Sequence, residues 1–238
     1  ALSSAASDVY KRQLRYNSFM RERNTRETDT EGNCAFGDGF FKGLFPNNNG
    51  RDFFKLEGEA LEAWKNKYGD KIVDFGAGKL NNTRTLRNAG VFVSAFEPYF
   101  VTTGDTIHKE KSIEIANKFL DEVESGVEYT SVFISSVFNS VPFMEDRIKI
   151  AQIAAALCSP GGRVVCWCQS NESQQFVITK KHSVTNNARL TFDLDYEPNT
   201  VLGDISKHPK VQKGHTADEL KDIFSRSFKS IDRIDMIS

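Results

Sequence analysis

Apolar positions in this chain recur at strand spacing and at helix spacing in turn. An apolar run at Ile72 and Val73 leads through Asp74 into a turn holding Gly76 and Gly78, and a helical stretch follows. A second apolar run from Val91 to Phe96 then ends in Glu97. Upstream, Phe54, Leu56, Leu61 and Trp64 fall at helical spacing over 53–68, closed by Tyr68 and Gly69. Downstream, the pattern predicts a helix from about Lys109 to Val123 and a buried central strand from Tyr129 to Ile134 that emerges at Ser135 and Ser136. A helix over Glu145 to Leu157 buries Ile148, Ile150, Ile153, Ala154 and Leu157, and Ser159-Pro160-Gly161-Gly162 stops it before a strand from Arg163 to Cys168. Phe176 to Val184 and Ala188 to Tyr196 alternate about Asn186-Asn187, a hairpin signal. Thr216 and Glu219 form a capping box for a helix to about Phe228, and Ile231 to Ile237 reads as a closing strand.

Strands alternating with helices specify an α/β fold with a parallel sheet. The expected architecture is Rossmann-like and doubly wound, with a mostly parallel sheet, helices on both faces, an antiparallel C-terminal strand and a hairpin inserted after the fifth strand. The 238 residues suit one such domain. Residues 1–32 read as a polar lead-in, its arginines (Arg12, Arg15, Arg21, Arg23, Arg26) interleaved with Glu22, Glu27 and Asp29. The domain itself spans 33–238: an N-terminal lid and helix over 33–69, a core over 70–168 and a substrate side over 169–238. The glycine-aromatic stretch 32–49 is too irregular for a strand and too apolar for water, and is expected to fold back as the lid or to plug the core's edge. No clear apolar run supplies a strand after Glu97; either Val101 to Ile107 forms a short edge strand or the sheet lacks one.

Composition narrows the chemistry. A net charge of -1, from 31 basic and 32 acidic residues, points to neither a polyanion nor a membrane partner. No apolar run approaches the roughly 20 residues that a membrane helix needs, and the start of the chain lacks the apolar core of a signal peptide. The four cysteines (Cys34, Cys158, Cys166, Cys168) include no C-x-x-C pair. Cys166 and Cys168 would share one strand face, so buried thiols in a reducing, cytoplasmic setting are expected, with no metal site.

The unit from Lys71 to Phe100 is where chemistry concentrates. In an open α/β sheet, ligands sit at the carboxyl ends of the strands, and the turn after the first strand brings main-chain N–H groups and a helix N-terminus there. Gly76 and Gly78 permit a tight turn and close approach to a ligand. Glu97, ending the neighbouring strand, is placed to accept hydrogen bonds from two ribose hydroxyls, so an adenosine-containing ligand is expected. A dinucleotide fingerprint requires G-x-G-x-x-G; here the third position is Asn81.

The run Asp74-Phe75-Gly76-Ala77-Gly78 resembles motif I of the class I S-adenosylmethionine-dependent methyltransferases, E/D-x-G-x-G, and Glu97 matches that family's acid after the second strand. The family's common third glycine is Leu80 here, which implies a turn less permissive beyond Gly78. Tyr129 to Phe143 resembles motif IV, and ALCSPGGRVVCWC resembles the family's L-x-P-G-G-x-hydrophobic signature. The resemblance implies S-adenosylmethionine as cofactor and S-adenosylhomocysteine as product. It also implies a cofactor site of Asp74, Gly76, Ala77, Gly78, Glu97, Pro98, Tyr99, Ser135, Ser136 and Val137, with Tyr99 a candidate for the adenine. Asn139 is the candidate polar contact beside the transferred methyl, or else a turn cap. Within the superfamily, the passage through FEPYF to SSVFNSVP is similar to methyltransferases found beside DNA phosphorothioation genes. The motifs of DNA base methylation are absent, since Asn139 to Phe143 has the wrong spacing for [D/N]-P-P-[Y/F] and Cys158-Ser159-Pro160 is not a Pro-Cys pair. A small-molecule acceptor is therefore expected ahead of a nucleic acid, methylated by direct displacement, with His208 and His215 as possible but unneeded bases. The acidic end of the hairpin (Asp193, Asp195, Glu197) suits a cationic substrate or blocks edge pairing.

Overall fold

The computed structural model describes residues 57–78, 80–100, 108–173, 176–177, 192–194, 196–203 and 210–234. Helix α1 (Gly58–Tyr68) precedes strand β1 (Lys71–Phe75). Helix α2 (Asn81–Asn88), strand β2 (Phe92–Phe96), helix α3 (Lys109–Glu124) and strand β3 (Tyr129–Ser135) follow. After a single 3-10 turn (Phe138–Ser140) come helix α4 (Met144–Leu157) and strand β4 (Cys158–Trp167). These four strands form one parallel sheet in the order β2-β1-β3-β4.

The sheet divides the apolar side chains into two layers, as alternation along each strand requires. On one face Ile72, Val93 and Phe133 pack against Trp64 and Tyr68 of α1 and Leu86 of α2. On the other, Val73, Phe96 and Ile134 meet α3 and α4 through Phe119, Leu120, Ile150 and Ile153. Helix α3 buries Ser112, Ala116, Phe119 and Leu120, a stripe at the helical repeat. Both layers are anchored by stacked aromatics, Trp64 on Phe133 at 5.6 Å and Phe96 on Phe119 at 3.8 Å between ring centroids. Helices on both faces of a parallel sheet make the fold Rossmann-like and doubly wound.

The stop at 159–162 has a specific form. Tyr129 of β3 pairs with Cys158, but Ser131 pairs with Arg163, so the Ser-Pro-Gly-Gly segment bulges out of the ladder and regular pairing starts at Arg163. Proline cannot donate to a ladder, which is why the irregularity falls there.

Beyond β4 the chain departs from expectation. Phe176 and Val177 are helical, and among the described residues antiparallel pairing joins β5 (Phe192–Leu194) to β6 (Glu197–Gly203), turning near Tyr196. A strand unforeseen in the sequence, β7 (Lys210–Lys213), pairs antiparallel with β6 and completes a separate three-stranded sheet. Helix α5 (Ala217–Ser225) starts at the foreseen cap, where Thr216 Oγ1 accepts the Glu219 N–H at 3.2 Å. Residues 231–234 form no strand, and Asp232 there meets Arg163 at 3.2 Å; 235–238 lie outside the described residues. The polar lead-in, the lid segment, Cys34, the Val101 to Ile107 segment, the Asn186-Asn187 turn and His208 also lie outside them.

Phe133 is 1% exposed and touches Trp64 and Tyr68 from the central strand. Phe133→Ala is expected to lower unfolding free energy by about 3–5 kcal/mol, as large-to-small changes in a packed core do. Chemical denaturation monitored by tryptophan fluorescence checks this, and a loss below 1 kcal/mol would contradict the packing.

Candidate functional site

Strand pairing sets the site's frame. Asp74 on β1 lies opposite Ala95 of β2 and Phe133 of β3, so the chain leaves all three strands at one edge of the sheet. There the turn after β1 is bound to its neighbour: the N–H groups of Gly76 and Ala77 both donate to Phe96 O, at 2.7 and 3.0 Å. Gly78 N–H donates to Glu97 Oε2 at 2.8 Å, and Tyr99 N–H to Glu97 Oε1 at 3.0 Å. Leu80 N–H closes the turn onto Ala77 O at 2.9 Å.

This differs from the expected cradle of main-chain donors, because the N–H groups of Gly76, Ala77 and Gly78 are engaged by Phe96 and Glu97, and that of Leu80 by Ala77. Gly78 sits at φ +54, and among the described residues no atom lies within 4 Å of where a Cβ would be. At Gly76, φ +77, a Cβ would overlap Val137 Cγ2, so Val137 fills the underside of the turn. Leu80, in place of the family's third glycine, adopts φ 64 as the residue before α2. The turn thus keeps the left-handed geometry and bears a strain of about 1–2 kcal/mol for it.

Among the described residues, two buried polar atoms at this edge have no hydrogen-bond partner. Asp74 is 1% exposed; its Oδ2 accepts from Thr83 Oγ1 of α2 at 2.7 Å, while Oδ1 has no hydrogen bond. Desolvation, with a lesser push from Glu97 against the pull of Thr83 and Arg87, raises its pKa to about 6. Ser135 Oγ, ending β3, is likewise buried without a partner. Such orphans are uncommon in folded proteins and mark places where a ligand, ion or water completes the bonding.

Ser136 has φ 59 and donates its N–H to Trp167 O at 2.7 Å, tying the exits of β3 and β4 together. Asn139 Oδ1 accepts the Gln169 N–H at 2.7 Å, so this side chain joins the 3-10 turn to the end of β4. A cavity of about 1280 Å³ runs along the free edge of β4 and reaches Ser136 and Asn139, but not the glycine turn or Glu97. Pro98 is buried and Tyr99 half-buried beside Glu97.

Sequence reasoning did not foresee the ionic cluster behind this edge. Arg147 of α4 is fully buried; it donates to Glu197 Oε2 at 2.9 Å, to Glu219 Oε1 at 2.8 Å, and to the carbonyls of Val141 and Pro142 at 2.7 Å. Lys213 Nζ lies 3.2 Å from Glu219 Oε2. His215, fully buried, has its Nδ1 3.5 Å from the same oxygen. Glu197, read as an exposed strand charge, is in fact enclosed here, where one oxygen also accepts the Met144 N–H. The available signal was Arg147's place three and seven residues before Ile150 and Ala154, on the buried stripe of α4. Desolvation would raise Glu219, but His215, Arg147 and Lys213 outweigh it and hold it at about 2. Burial lowers His215, and the cations Arg147 and Lys213 add to the effect against Glu219.

Comparison with family models and with curated proteins returns no match. Among solved structures, the chain is similar to an S-adenosylmethionine-dependent methyltransferase from Clostridium acetobutylicum ATCC 824, at 13% identity over 79% of this chain and 84% of that one, TM-score 0.45. It is similar to the CcbJ methyltransferase from Streptomyces caelestis at 13% identity over 69% and 74%, TM-score 0.44. It is also similar to the glycopeptide N-methyltransferase MtfA complexed with S-adenosyl-L-homocysteine, at 15% identity over 73% and 80%, TM-score 0.38. These likenesses concern architecture alone.

The cluster makes stability depend on pH in a definite direction. With His215 held below its ordinary value, the unfolded chain takes up that proton first, so stability falls as pH drops below about 6.5. Glu219 adds a further loss only as pH falls from about 4.5 towards 2. His215→Gln removes the first effect, so the variant's melting temperature relative to the parent should rise between pH 7.5 and 5.5. A difference independent of pH would refute the buried, neutral histidine.

Proposed function

We propose that the protein is an S-adenosylmethionine-dependent methyltransferase acting on a small-molecule nucleophile. The observation that carries this reading is the way the glycine turn uses its own donors. A dinucleotide's pyrophosphate needs main-chain N–H groups at this position. Here the donors of Gly76, Ala77, Gly78 and Leu80 are committed to Phe96, Glu97 and Ala77. The same bonds favour a ligand that carries no phosphate at the turn and offers donors to acidic and hydroxyl groups. Glu97 is held from both sides by Gly78 and Tyr99, which sets its plane at the carboxyl edge, and a carboxylate accepts up to about four hydrogen bonds.

The residues present fit the cofactor. Glu97 would receive the ribose diol, with Tyr99 and Pro98 beside the adenine. The orphaned Asp74 Oδ1 and Ser135 Oγ would serve the methionine end, the first as counter-charge to its ammonium. Gly78 leaves room for close approach, and Val137 beneath Gly76 keeps the turn in shape. When bound, S-adenosylmethionine supplies an electrophilic sulfonium methyl. The chain's own contribution is orientation and exclusion of water at the ends of β1 and β3. Asn139, engaged with Gln169, positions the acceptor side of the site rather than moving a proton. The acceptor would enter from the cavity that meets Ser136 and Asn139.

Glu97→Ala should weaken S-adenosylmethionine binding by about 1–3 kcal/mol in calorimetry, as the loss of charge-assisted hydrogen bonds does. Gly78→Ala should weaken it at least as much, because its Cβ would enter ligand space, and should also lower stability by about 1–2 kcal/mol from placing alanine at φ +54. Unchanged affinity in both variants would sink the assignment. Methyl transfer itself is read from S-adenosylhomocysteine appearing with an acceptor heavier by one methylene; cofactor consumed without such a product would instead indicate a lyase, and no turnover a sensor.

Asp74 supplies an independent test. A carboxyl whose folded pKa is raised to about 6 favours the folded state below its ordinary value, and that advantage is lost as pH rises through 6. A bound ammonium reverses this preference by stabilising the ionised form. Binding at pH 6 should therefore release a proton, seen as a dependence of the heat on buffer ionisation enthalpy. The release should vanish at pH 8 and in Asp74→Asn. Equal heats in all buffers at pH 6 would remove Asp74 from the site.

A further inference from the structure

Cys166 and Cys168 are two residues apart at the end of β4, and both pack against the core layer formed by α3 and α4, whereas Trp167 between them packs against the opposite layer. Alternation on an extended strand places such a pair on one face with Cα atoms about 7 Å apart. The neighbouring Cys168 thiol and burial together push Cys166 well above the ordinary thiol value. Both are free, and both line the cavity along β4. Neither takes part in the cofactor reading.

We propose that Cys166 and Cys168 form a two-thiolate site for a soft, two-coordinate d10 cation. Among the described residues no group of three or more His, Cys, Asp or Glu is arranged to hold a metal, which disfavours a four-coordinate zinc and leaves ions content with two sulfurs. Soft thiolate ligands select such ions. The step balances as two thiols plus one M²⁺ giving one neutral S–M–S unit and two protons, with no change of oxidation state. The apolar surroundings favour that neutral product over an anionic dithiolate of a monovalent ion, since an unpaired buried charge is costly. A divalent thiophile such as Hg²⁺ is therefore the preferred probe, with Ag⁺ as the monovalent comparison.

The full chain is titrated with Hg²⁺ in the presence of excess glutathione, and the bound ion is counted by native mass spectrometry. Two thiols on one strand face act as a chelate, so the parent should keep one equivalent at a competitor concentration ~100-fold above that which strips a single-thiol site. Cys166→Ser and Cys168→Ser should each lose that advantage, while Cys158→Ser, at the other end of the same strand, should keep it. Ag⁺ should be retained less well than Hg²⁺ under the same competition. Melting temperatures of the two serine variants confirm that they are folded. The proposal is overturned if Cys158→Ser loses the ion as readily as the other two, if either single variant retains it like the parent, or if the parent holds no equivalent against the competitor.

Discussion

β1 is hydrogen-bonded in parallel to β2 on one side and to β3 on the other, and the rest of the molecule follows from that double pairing. Parallel strands cannot be joined by tight turns, so every connection must cross back over a face of the sheet, and the crossing segments become the helices that bury it. The same pairing aligns the strands' carboxyl ends. Asp74, Glu97 and Ser135, 61 positions apart from first to last by residue number, are thereby delivered to one edge. A polar residue is tolerated there because the ladder ends and the chain turns outward.

At that edge the protein spends its hydrogen bonds unevenly. Main-chain donors of the glycine turn are consumed by Phe96 and Glu97, which makes the turn rigid and removes it as an anion cradle. Side-chain oxygens are left over instead: Asp74 Oδ1 and Ser135 Oγ are buried with no hydrogen-bond partner among the described residues. Among the described residues this edge therefore carries more unengaged side-chain acceptors than turn donors. The left-handed Leu80 and Ser136 flank the same edge, so backbone strain is concentrated where the bonding is incomplete.

Behind the site, Arg147 links three segments distant in sequence: α4, β6 through Glu197 and α5 through Glu219. Arg147 and Lys213 balance Glu197 and Glu219 in charge, with His215 neutral. A buried pair of this kind is weak evidence for net stability, but breaking it by removing one partner is costly, which makes the arrangement specific. It fastens the small antiparallel sheet to the parallel one through groups that would otherwise repel burial.

Residue pattern alone determined the parallel α/β core, because alternation and helical spacing are local, and β1, β2, β3 and α4 each bury enough apolar surface to declare their own periodicity. It also determined the acid-turn-glycine unit and its partner Glu97, since a tight turn between two apolar runs has few solutions. Tertiary structure decided the rest. The pairing of 192–194 with 197–203 was not legible in the local pattern, because strand register depends on which face finds a partner. Leu80 was forced into a glycine's conformation by the neighbours that fix the turn. The direction of the turn's N–H groups and the burial of Arg147, Lys213 and His215 could be settled only once distant segments met, for a hydrogen bond between residues far apart in sequence leaves no mark in the local pattern of either.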